Sequence, residues 1–125
     1  MTLTEFDPQY FGLRHIESVT VVTFDMPQLT EDLNIEQLGH ELFALVDQYH
    51  CRKLAVSLEG VDLLTSSVLG KMITLHRRMH RQNGQLVFCE LEDGVRDVLR
   101  TSRLLTYFRV VDELEDALTA LAAEV

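Results

Sequence analysis

Proline and glycine are scarce in this chain, at 2 and 6 of 125 residues, which excludes a long disordered or low-complexity tract. Long hydrophobic runs are missing too: no apolar stretch approaches the roughly 18 residues that a membrane span needs. Met1 to Pro8 is acidic and polar, without the basic and apolar regions of a signal peptide, so a cytoplasmic location is expected. Only two cysteines occur, Cys51 and Cys89, and they form no CxxC pair. Each falls at or inside an expected buried strand, which predicts thiols acting as small hydrophobes rather than as disulfide or metal partners. The glycines form neither a GxGxxG nor a P-loop pattern, and Ser66 has no histidine near it in sequence. No catalytic residue and no cofactor is therefore expected.

What the chain does have is acid. The formal net charge is −9, which opposes binding to a nucleic-acid backbone. The charge is uneven. Residues 71–109 carry eight of the eleven cations (Lys71, Arg77, Arg78, Arg81, Arg96, Arg100, Arg103, Arg109) against four acids, a net of +4. The remainder holds three cations and sixteen acids, a net of −13. Such a chain can present one chosen face to a charged partner, or simply have solvated helix surfaces that differ. With 46% hydrophobic and 25% charged residues, the composition predicts one globular domain over residues 1–125, its core spanning roughly 10–120.

Periodicity predicts the order of elements. Tyr10 to Ile16 and Val19 to Phe24 are β-branched and aromatic runs flanking Glu17-Ser18, a hairpin pattern. After Met26-Pro27 and a polar loop through Thr30, Glu31 and Asp32, Asn34 and Gln37 have capping-box spacing. Leu38, Leu42, Leu45, Val46 and Tyr49 then form one helical stripe. The run Leu54 to Leu58 is almost continuously apolar, as in a strand covered on both faces. A turn through Glu59, Gly60, Val61 and Asp62 leads to Thr65-Ser66-Ser67, which opens a helix with Leu69, Met72, Ile73, His76 and Met79 or His80 at helical spacing. That helix is expected to close at Asn83-Gly84, with glycine in the left-handed conformation. A strand over Gln85 to Glu90, a short helix capped by Asp93, a strand over Phe108 to Val111 and a helix capped by Asp112 complete the chain. The resulting order, β-β-α-β-α-β-α-β-α, predicts an α/β fold with a mixed, mostly parallel sheet of about five strands and about four helices.

One segment carries more than periodicity. Leu54-Ala-Val-Ser-Leu-Glu-Gly-Val-Asp-Leu-Leu-Thr-Ser-Ser-Val-Leu-Gly70 resembles the core of STAS domains, the anti-sigma factor antagonists: an apolar strand, an acidic turn, then Asp-Ser-Ser/Thr-Gly-Leu-Gly starting a helix. Asn83 to Cys89 and the passage Val95 to Phe108 with Thr101-Ser102-Arg103-Leu104-Leu105 are similar to later parts of that family. Thr65 stands where the family has Asp, and Val68 replaces its Gly. The resemblance implies a non-catalytic regulator that docks an anti-sigma factor or ATP-binding serine kinase. It implies phosphorylation of Ser66, ahead of Ser67 and Thr65, with a phosphatase restoring the unmodified form. Partner contacts are expected at Thr65, Ser66, Ser67, Val68 and Lys71, in a monomer or a homodimer. The same resemblance allows a scaffold or ligand-sensing domain that is never phosphorylated, as in transporter-associated and nucleotide- or lipid-sensing relatives.

Read as residues alone, Thr65, Ser66 and Ser67 suit the cap of a helix, whose first amides lack intrahelical partners. They also form an exposed run of three hydroxyls, where a phosphate would add about −1.5 to −2 charge. Glu59 and Asp62 are the acids expected to feel it. His76 and His80 have the i, i+4 spacing of a zinc pair, but Arg77, Arg78 and Arg81 surround them, so no metal site is expected.

Overall fold

The computed structural model describes residues 3–122. After a short 3-10 helix at Leu3–Glu5 come β1 (Gly12–Ile16), β2 (Val19–Thr23), β3 (Gln28–Leu29) and α1 (Ile35–Asp47). They are followed by β4 (Lys53–Ser57), β5 (Leu63–Leu64), α2 (Ser66–Arg81), β6 (Gln85–Cys89), α3 (Asp93–Thr101) and α4 (Leu114–Ala122). The main sheet has four strands in the order β1-β2-β4-β6. β1 and β2 are the antiparallel hairpin, turning through Glu17 at a positive φ of 57°, while β2, β4 and β6 run parallel.

The apolar runs make sense once both sheet faces are considered. Side chains alternate along a strand, so one face of β4 and β6 offers Leu54, Val56, Leu86 and Phe88 to α1 and α2. The other face offers Ala55, Val87 and Cys89 to Ala117 and Leu121 of α4. Covered on both sides, these strands are apolar through their middles, with Lys53, Ser57 and Gln85 only at their ends. The α1 stripe is buried at Leu38, Leu42, Leu45 and Val46. In α2 Leu69, Met72 and Met79 are buried as expected, but Val68 and Leu75 complete the inner face, while Ile73 and His76 lie at its edge and His80 is exposed. Tyr49, assigned to the first stripe, lies beyond α1 and stacks on Phe6 at 4.8 Å. Glu41, a buried carboxylate, accepts the backbone N–H groups of Gln9 (2.6 Å) and Tyr10 (3.0 Å) and so ties the N-terminal segment to α1. Both thiols are buried and unpaired, and burial pushes the Cys89 thiol up to about 12.

Several local expectations are corrected. The fifth position in the sheet, expected as a strand over Phe108 to Val111, is a single parallel bridge between Phe88 and Val110. Arg109 and Val111 still bond the β6 edge, through Phe88 N–H to Arg109 O and Val111 N–H to Phe88 O, both 2.9 Å. Asp112 O also accepts Glu90 N–H at 2.9 Å, after which the chain turns into α4. Asp112 is therefore not the cap of that helix. Ala117 N–H bonds Glu113 O at 3.2 Å, and the Asp116 carboxylate reaches back to Glu113 N–H at 3.1 Å. Asp93 is likewise inside its helix, because Arg96 N–H already bonds Glu92 O. At the end of α2 the left-handed residue is Asn83 (φ 59°), not Gly84. Gly84 is required for a different reason: a Cβ there would lie 2.8 Å from Met79 Cε and 3.3 Å from Arg52 O. Asn34 does cap α1, its Oδ1 accepting Gln37 N–H at 3.0 Å.

Candidate functional site

The loop into α2 is held by a feature too short to read from periodicity. β3 and β5, two residues each, pair in parallel as Gln28 with Leu63 and Leu29 with Leu64. Asp62 N–H donates to Pro27 O (2.7 Å) and Thr65 N–H to Leu29 O (3.2 Å), so the first turn of α2 is stitched to residues 27–30. From the other side, Glu92 accepts Gly60 N–H at 2.9 Å. Gly94 lies so close that a Cβ on it would sit 2.9 Å from Asp62 O. Neighbouring backbone therefore fixes the helix start.

The three hydroxyls differ. Thr65 takes the cap position in extended conformation (φ −95°, ψ 167°), yet its side chain makes no capping bond. Its Oγ1 is buried and has no hydrogen-bond partner. Ser67 is exposed and lies against the carboxylate of Glu31. That hydroxyl first, then the residue's own backbone N–H, then the Thr65 hydroxyl, hold Glu31 below the usual carboxylate range. Thr65 acts there as a nearby dipole, short of a bond of good geometry. Ser66 is the first residue of α2, exposed, and its hydroxyl enters no hydrogen bond among the described residues.

The expected run of three exposed hydroxyls is thus two, with the third turned inward. Val68 is also corrected as a partner contact: at 1% exposure it belongs to the core. Successive residues on a helix turn by about 100°, so a surface at Ser66 and Ser67 places Val68 underneath. Lys71 lies in the seam with α1, where its Nζ meets the Glu36 carboxylate at 3.0 Å and its stem packs over Gly39. The acid that meets the hydroxyls is Glu31. Glu59 instead lines a separate cleft of about 380 Å³ with Arg14, Asp25, Ser57 and Glu90. Leu63, 41% exposed beside the helix start, is a second residue that sequence reading passed over. Both lie where only the β3–β5 pairing would have brought them to notice.

At the other end of α2, His76 and His80 face each other with ring centroids 5.2 Å apart. His76 also meets Tyr107 (4.7 Å) and Phe108 (5.5 Å). Burial, then the neighbouring His80, push the His76 pKa below its ordinary value. Among the described residues no group of three or more His, Cys, Asp or Glu side chains could hold a metal ion. No helix among them is long and apolar enough to cross a membrane.

A four-stranded mixed sheet between two helical layers, with a serine-opened helix beside a backbone-pinned loop, is the arrangement of a STAS domain. Residues 10–117 match that family, and the chain belongs to it. BtrV of Bordetella bronchiseptica, named as an anti-sigma factor antagonist, is 34% identical over 87 residues, covering 70% of this chain and 74% of BtrV. Among solved structures, a STAS domain protein of Planctomyces limnophilus superposes with a TM-score of 0.82 at 23% identity, over 92% of this chain and all of that one. The Bacillus cell fate determinant SpoIIAA in its phosphorylated form superposes with a TM-score of 0.68 at 18% identity, over 88% and 97% of the two chains.

Proposed function

We propose that this chain is a non-catalytic partner-switching module of the cytoplasm. Its surface at the start of α2 binds an anti-sigma factor or related ATP-binding serine kinase, and phosphorylation of Ser66 ends the binding. The observation that carries this reading is the division of labour among the hydroxyls. Thr65 Oγ1 is buried and Ser67 lies against Glu31, which leaves Ser66 exposed and uncommitted. The relationship to BtrV, itself named as an anti-sigma factor antagonist, supports the class of partner.

The physics of the switch is local. The first amides of a helix have no intrahelical acceptor, and Thr65 does not cap them, so a phosphate on Ser66 has donors within reach. The helix survives modification. What changes is the surface: about −1.5 to −2 charge appears beside the Glu31 carboxylate and next to exposed Leu63. A partner that buries Leu63 and these hydroxyls must then desolvate a dianion, and it leaves. A phosphatase reverses the change.

The test is calorimetric titration of the wild-type chain, Ser66→Ala and Ser66→Asp against a purified ATP-binding serine kinase of the histidine-kinase ATPase type. Wild type and Ser66→Ala should bind, while Ser66→Asp should bind about tenfold or more weakly. With ATP, the kinase should add phosphate to wild type and not to Ser66→Ala. Equal binding by Ser66→Asp, or phosphate arriving on Ser66→Ala, would contradict the proposal.

A further inference from the structure

The far end of α2 borders a second concave surface. A groove of about 380 Å³ is lined by His76, Arg77, His80, Arg81 and Tyr107. That volume falls at the lower end of the roughly 300–1,000 Å³ common for small-ligand sites. Its floor is aromatic: Tyr107 and His76 lie 4.7 Å apart at 49°, and Tyr107 keeps 45% of its surface exposed. Its rim is cationic. The α2 cations that face α1 are neutralised, Lys71 by Glu36 and Arg78 by Asp47. Arg77 and Arg81 make no ion pair among the described residues, and no carboxylate lines the groove. Two uncommitted guanidinium groups one turn apart suit a carboxylate or phosphate, which they can bind through paired hydrogen bonds.

Beneath the groove lies a smaller cavity of about 90 Å³, lined in part by His76, His80, Met79 and Gln85. His76 and His80 belong to both spaces. His76 Nδ1 is buried with no hydrogen-bond partner. The surroundings favour a small molecule over a protein. A stable protein contact buries about 800 Å² per partner around an apolar centre, and Tyr107 is the one strongly exposed large apolar side chain at this end among the described residues.

We propose that this groove binds a small planar aromatic anion, its ring packed on exposed Tyr107 beside His76 and its carboxylate or phosphate held by Arg77 and Arg81. The site lies at the opposite end of α2 from Ser66 and does not depend on the phosphorylation reading. The full chain, with ring signals of His76, His80 and Tyr107 followed by NMR, should be titrated with indole-3-acetate. Indole serves as the ring without the charge; acetate and inorganic phosphate serve as the charge without the ring. Indole-3-acetate should give saturable shifts at these three rings with a Kd on the order of 1 mM or tighter, and the three controls should not. The double variant Arg77→Gln/Arg81→Gln, altered only at exposed positions, should weaken binding about tenfold at an unchanged melting temperature, and Ser66→Ala should leave it unchanged. Absence of saturation, equal binding by any control, or undiminished binding by the double variant would overturn the proposal.

Discussion

The two ends of α2 are built from the same helix and differ in what surrounds them. At the first turn, backbone bonds to Leu29 O and Pro27 O fix the loop, and the carboxylate of Glu31, from a distant segment, lies against Ser67. At the last two turns nothing acidic lines the groove, and rings and free guanidinium groups meet instead. A negative charge is thus resisted by Glu31 at one end and invited at the other. The phosphate proposed at the first end would have to be attached covalently, whereas the anion proposed at the second would arrive by diffusion. One rigid helix can carry both because the inner face, from Val68 to Met79, is core throughout.

That contrast between interchangeable outer and fixed inner faces is the easiest part to break. Val68→Asp would bury an unpaired carboxylate and should cost about 3–5 kcal/mol in urea denaturation, enough to unfold many domains of this size. Met79→Ala at the other end, also 1% exposed, should cost about 2–5 kcal/mol. Ser66→Asp and Arg77→Gln on the outer face should each stay within about 0.5 kcal/mol of wild type. A stable Val68→Asp chain would return that residue to the surface, where the sequence had suggested it.

The next effect separates the ends. Gly94→Ala forces a Cβ to within 2.9 Å of Asp62 O, a backbone atom that cannot swing aside. It should cost about 1–3 kcal/mol and move NMR signals over residues 60–67 while leaving 76–81 in place. Smaller again, and opposite in sign to a usual cap, is Thr65→Val. Removing a capping threonine normally costs about 1 kcal/mol. Here Oγ1 is buried without a partner, so the isosteric valine should be neutral or stabilising.

The smallest effect concerns pH at the aromatic end. Burial holds the His76 pKa below 6.5, so the folded protein takes up this proton less readily than the unfolded chain. Its contribution is complete above 6.5 and is lost as pH falls from there through the depressed folded value. The drop in melting temperature on acidifying below 6.5 should therefore be smaller in His76→Gln than in wild type.

Most of the fold was legible because its elements are long enough to show a period. The apolar run at Leu54 to Leu58 announced a strand covered on both faces, and the stripe from Leu69 to Met79 announced the helix above it. β3 and β5 are two residues each, too short to alternate, and their pairing decides which loop reaches the helix start. Glu31 was seen only as part of a polar loop for that reason. The strand expected at Phe108 to Val111 has the right residues, but it makes one bridge and the segment turns after Asp112 O accepts Glu90 N–H. Ser66 could be named from its motif. That Val68 lies beneath was written in its helical spacing with Met72, Leu75 and Met79, which the motif resemblance overrode; that Thr65 Oγ1 turns inward has no such local pattern.

The most direct test of the account is the state of Ser66 in native cells. The protein should be isolated across growth and stress conditions and its phosphate mapped by intact-mass and peptide mass spectrometry. The account predicts a single phosphate on Ser66, absent from a Ser66→Ala strain, with none on Thr65. A chain unmodified under every condition, or one modified only elsewhere, would contradict it.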